Sequence, residues 1–95
     1  MPAKEIERLT SLNELRQYVN YILCQHEQLE IDAFPFTEKL LLRGDRPCGM
    51  FFSLRGPRSV VFSAIWETDR NTILFYNSTG ERFRQTVLAQ APSLC

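Results

Sequence analysis

Long apolar runs, paired cysteines, histidine and net charge are all scarce in this chain, and each shortage removes a class of protein. No apolar run approaches the ~18 residues that a membrane-spanning helix needs. The opening residues, MPAKEIERL, lack the apolar stretch of a secretory signal, so the expected location is cytoplasmic. The three cysteines (Cys24, Cys48 and Cys95) are an odd number, and none forms a Cys-x-x-Cys pair. That speaks against a disulfide framework or a zinc site, and for a reducing compartment. A single histidine, His26, offers little to a metal, and no metal site or cofactor is implied. With eleven basic and eleven acidic residues the formal charge is zero, which removes any global attraction for nucleic acid or membrane. Nothing resembles a phosphate loop, a nucleotide fingerprint or a metal loop. The chain therefore reads as a protein that is not an enzyme.

What is present is an ordinary globular composition: 95 residues, 44% hydrophobic, with seven Phe, three Tyr and one Trp. A chain of this length holds one domain (1–95) and buries roughly 60–65% of the surface its unfolded form exposes. Residues 1–9 form a charged lead-in, helical or frayed. Ser11-Leu12-Asn13-Glu14 then matches a capping box, and Leu12, Leu15, Val19, Ile22, His26 and Leu29 recur at spacings of three and four. This predicts an amphipathic helix over about 11–29, with Asn13, Gln17, Tyr21, Cys24 and Gln28 on the opposite face.

Phe34-Pro35-Phe36 ends the helical pattern, because a residue before proline avoids the α region. Strands are then expected at 36–43, 48–54, 59–67, 72–77 and 82–88, separated by turn residues such as Gly44-Asp45 and Ser78-Thr79-Gly80. The tail from Ala89 reads as loose. Connections this short leave no room for crossover helices. The fold class expected is α+β, with the N-terminal helix packed on a four- to five-stranded antiparallel β-meander.

An antiparallel sheet with one wet face should alternate apolar and polar residues, and here the alternation is incomplete. The face away from the helix keeps Leu41, Phe51, Val61, Ile65 and either Leu74/Tyr76 or Ile73/Phe75. Apolar patches of this kind commonly mark partner surfaces. Cover by Ile6, Leu9 and the tail, or curling of the sheet into a barrel, is the plainer alternative. The leading expectation is a non-enzymatic domain that binds itself, as a homodimer or higher, or another protein, through Phe51, Val61 and Ile65.

Two other readings compete. Residues 1–42 carry four basic and seven acidic groups, whereas 43–95 carry seven arginines against four acids. In a meander, Arg55 and Arg58 should approach Arg82 and Arg84 at one end of the sheet, with Arg43, Arg46 and Arg70 at the other. The first cluster makes an anion- or nucleic-acid-binding module the alternative, with solvated loop arginines as its plain counterpart. A cysteine-dependent enzyme built on Cys48 and His26 is the third reading. It needs the two side chains to meet, which spacing alone leaves open.

From Pro47 to Leu88 the segments CGMFF, GPRSV, IWETDRN and LFYNSTGERF resemble short bacterial proteins of planctomycete type whose function is unknown. The resemblance implies a small cytosolic bacterial domain and carries over no activity, cofactor or catalytic residue. The order of elements, helix then five strands, is also similar to Sm-like RNA-binding proteins, whose bent sheets assemble edge to edge into rings. Their signature segments are not in order here, the helix is longer, and a neutral charge suits RNA poorly.

Overall fold

The computed structural model describes residues 5–7, 9 and 11–89. Ser11 starts the helix as expected. Its backbone is extended (φ −142°, ψ 162°), and its Oγ accepts a hydrogen bond from the Glu14 N–H at 3.1 Å. Helix α1 runs Leu12–Glu27 and stops where Gln28 turns left-handed (φ 57°), letting the Leu29 N–H close on the Cys24 carbonyl at 2.8 Å. That reversal corrects one expectation. Cys24, placed on the wet face by the helical wheel, is 1% exposed. The chain folds back after Gln28 and brings Asp32 near this flank, while the thiol donates to Asn20 Oδ1 at 3.4 Å. Burial, and then the Asp32 charge, push the Cys24 thiol pKa up, so this cysteine is a poor nucleophile.

The strands are β1 (Glu5–Glu7), β2 (Phe36–Arg43), β3 (Arg46–Arg55), β4 (Val61–Glu67), β5 (Thr72–Tyr76) and β6 (Arg82–Leu88), with a single 3-10 turn at Pro57–Ser59. They form one open sheet in the order β1-β6-β5-β4-β3-β2. From β2 to β6 it is the antiparallel meander read from sequence. The lead-in departs from the reading: Glu5–Glu7 form neither helix nor frayed end but pair parallel to β6, opposite Thr86–Leu88. Residues 90–95, most of the expected loose tail, lie outside the described residues.

Parity along each strand settles the two faces. Met50, Phe52, Leu54, Phe62, Ala64, Trp66, Ile73 and Phe75 point toward α1 and are buried with its Leu15, Val19, Ile22 and Leu23. Each fully buried side chain of this kind contributes about 1.5–3 kcal/mol. Tyr18 reaches across from the helix, edge-on to Phe75, with its hydroxyl 2.9 Å from Oγ1 of the buried Thr86. Leu9 also joins this core, so it does not cover the opposite face.

Trp66 is the largest fully buried side chain, and its indole N–H needs an acceptor. Asn71, in the β4–β5 turn at φ 47°, supplies Oδ1 at 3.0 Å. The same residue donates from Nδ2 to the Leu88 carbonyl (3.3 Å) and accepts the Leu88 N–H on its own carbonyl (2.9 Å). One turn residue thus ties the core tryptophan to the last strand. Asparagine also tolerates the left-handed backbone that the turn requires. Nearby, Gly49 passes so close to the Trp66 carbonyl that a Cβ would stand 2.2 Å from the oxygen.

Asn71→Ala should cost about 1–3 kcal/mol, because it leaves the buried indole N–H without its acceptor. Urea unfolding followed by Trp66 fluorescence measures this. Gly49→Ala should separate β3 from β4 and lower the thermal midpoint more than Gly44→Ala, whose added methyl meets nothing within 4 Å and is strained only by its φ of 63°.

Candidate interaction surface

On the face turned away from α1, the registers align side chains into transverse rows. Lys39 pairs with Phe51, Phe51 with Ile65, Ile65 with Leu74, and Leu74 with Gln85. The centre of this face is therefore an apolar row, Phe51–Ile65–Leu74, with a lysine and a glutamine at its ends. All three are half-buried. The choice between Leu74/Tyr76 and Ile73/Phe75 that the sequence leaves open falls to Leu74/Tyr76, since Ile73 and Phe75 are fully buried under the helix.

Val61 lies on the same face but farther along β4, 42% exposed and opposite Arg55. Between it and Ile65 runs a hydroxyl row in which Thr37 and Ser53 touch at 3.1 Å and Ser63 follows. Val61 instead lines a shallow hollow of about 270 Å³ with Pro35, Thr37, Ser53 and Arg55. Of the three residues read from sequence, Phe51 and Ile65 are neighbours and Val61 is set apart.

The arginines do not converge. Arg55 and Arg82 share one end of the sheet, but β4 and β5 separate their strands, roughly 14 Å at the usual strand spacing. Arg55, Arg58 and Arg82 are exposed, and Arg84 is half-buried opposite Phe75 on the helix side. At the other end Arg43 pairs loosely with Asp69 at 3.6 Å, both largely exposed.

Cys48 and His26 are brought to opposite ends. His26 stacks on Phe83, near the start of β6, with ring centroids 3.6 Å apart. Cys48 lies at the start of β3, where its carbonyl accepts from the N–H and Oγ1 of Thr68. Four residues along the strand and three strands across part the two groups, so they form no nucleophile–base pair. Among the described residues no cluster of three His, Cys, Asp or Glu side chains is placed to hold a metal. No helix among them is long and apolar enough to cross a membrane. No family model, curated protein or solved structure matches this chain.

An ion pair joins the helix to the sheet. Arg16 grips Glu38 of β2 through both nitrogens, Nε to Oε1 and Nη2 to Oε2, the latter at 2.7 Å. The sequence carried no signal for it, since the partners are 22 residues apart. The hydrogen bonds from Arg16 hold the Glu38 carboxyl below its ordinary range. A carboxylate with a lower pKa folded than unfolded stabilises the fold above its unfolded pKa, and that contribution is lost as pH falls through the folded value. Because the pair is partly exposed, it contributes about 0.2–1 kcal/mol. Glu38→Gln should lower stability by that amount at neutral pH. The gap between variant and parent should close as the solution is acidified below the ordinary glutamate range, as read by denaturant titration at a series of pH values.

Proposed function

We propose that this protein is a non-enzymatic, cytoplasmic interaction module that binds a second copy of itself through the outer face of its sheet. The observation that supports this most is the in-register row Phe51–Ile65–Leu74 on the face opposite the only described helix. Its surroundings fit an interface, with an apolar centre and a polar rim of Lys39, Gln85, Glu67 and Arg55.

The row also suits a self-complementary contact. A twofold axis parallel to β4 sets Ile65 against Ile65 and Phe51 against Leu74 of the other copy, an isologous arrangement. Zero net charge means the copies approach without long-range repulsion.

Phe51→Glu and Ile65→Glu should each keep the far-UV circular dichroism of the parent and abolish this association in light scattering after size exclusion, with reductant present. Unfolding of both variants would assign the row to the core. An unchanged mass with the fold intact would remove the outer face from the interface.

A further inference from the structure

We infer that one edge of the sheet, β2, is a second and separate docking strand, and that its partner is β2 of another copy, paired antiparallel about a twofold axis. No described strand pairs with the outer side of β2, which at eight residues is one of the longest strands in the fold. An edge of this length offers a ladder of unmade hydrogen bonds.

Which groups it offers follows from the register. Arg55 donates to the Pro35 carbonyl, one step beyond the Phe36–Leu54 pair, so 35 and 55 form a hydrogen-bonded pair. Such pairs alternate along an antiparallel ladder, and the odd residues of β2 therefore bond to β3. The Thr68 N–H to Cys48 carbonyl bond gives the same result from the other side, with even residues of β3 bonding to β4. Hence Glu38, Leu40 and Leu42 aim their N–H and C=O groups at the open edge. The irregularity between Leu41 and Leu42 does not interrupt this, because the extra residue, Cys48, belongs to β3.

The side chains at the same positions are unusually bare. Leu40 and Leu42 are 44% and 57% exposed, among the largest exposures of any apolar side chain described. Leu40 stands on the helix side of the sheet but is left uncovered there.

Charge selects the register. With the axis at Lys39, two lysines would oppose each other at the short spacing of a non-hydrogen-bonded pair; with the axis at Glu38, two glutamates would meet. With the axis at Leu41, Lys39 would face Arg43 of the other copy. With the axis at Leu40, Leu40 meets Leu40, Glu38 meets Leu42, Lys39 meets Leu41 and Thr37 meets Arg43, so no like charges pair. The three outward-facing residues of each copy then exchange all their backbone bonds. The product is one continuous sheet with both helices on the same side.

The test uses proline as a probe of direction. Leu40→Pro removes an N–H that faces the open edge and should leave the β2–β3 ladder intact. Leu41→Pro removes one that bonds to β3 and should cost the fold. If face and edge both operate, the parent is an assembly larger than a dimer in light scattering, and Leu40→Pro and Phe51→Glu each reduce it to a dimer by different cuts. If only the edge operates, the parent is a dimer that Leu40→Pro makes monomeric and Phe51→Glu leaves alone. A folded Leu40→Pro that keeps the parent's mass, or a monomeric parent, overturns the edge proposal and leaves the outer face to its own test. Should Leu40→Pro unfold, amide hydrogen exchange on the parent decides. Protection of the Glu38, Leu40 and Leu42 amides comparable to Lys39 and Leu41 supports the seam, and exchange at the rate of a free edge overturns it.

Discussion

A buried tryptophan is an asset to a small core only if its N–H is satisfied, and here a single turn residue meets that condition. Trp66 sits in the row Met50–Trp66–Ile73–Thr86, directly under the helix, and Asn71 accepts its indole proton from five residues downstream. Because Asn71 also bonds twice to Leu88, the geometry that satisfies the indole fixes where β6 ends its pairing with β5. A slip of one residue in any one strand would carry that strand's inward side chains to the outer face. The apolar core and the outer row Phe51–Ile65–Leu74 are therefore two readings of one register, and the Trp66–Asn71–Leu88 link helps to hold both.

The two surfaces proposed for association differ in what they use. The outer face offers side chains on a surface whose backbone is already fully paired within the sheet. The edge offers backbone first, with Leu40 and Leu42 adding apolar area. Contacts of the first kind are tuned by shape, and contacts of the second kind depend on register and tolerate many side chains except like charges in opposition. The Arg16–Glu38 bridge anchors the edge strand β2 to the helix.

Local features were legible in the chain. Ser11 and Glu14 announced the helix start, the three-and-four spacing gave the buried Leu15, Val19 and Ile22 but also included His26, which is exposed, and Gly44-Asp45 and Ser78–Gly80 marked their hairpins. In the latter turn Asn77 Oδ1 accepts from the N–H groups of both Thr79 and Glu81, and Gly80 takes φ 86°. Features that depend on distant partners were not legible. Three residues of parallel pairing at 5–7 carry no periodicity of their own. Cys24 looks solvent-facing until the reversal at Gln28 is known. The stretch Thr72–Tyr76 is apolar on both sides, so only its pairing with β4 and β6 tells Leu74 from Ile73. The candidate surface was legible in the same proportion: Phe51 and Ile65 follow from strand parity, while Val61 shares their parity but lies beyond the hydroxyl row, and whether β2 lies at an edge depends on the order of the whole sheet.

The parallel pairing of Glu5–Glu7 with Thr86–Leu88 has a consequence for how the domain is made. β1 precedes every other described element in the chain, yet its only described neighbour is the last strand, β6. Through most of translation α1 and the early hairpins lack β6, and the Leu9–Leu88 corner of the core and the Asn71–Leu88 bonds cannot form. The nascent chain thus carries one open sheet edge at β2 and another at the growing side, and β1 finds its partner only when residues near 88 leave the ribosome. Folding of this domain is in that sense a late event, in which its first and last described strands fasten each other.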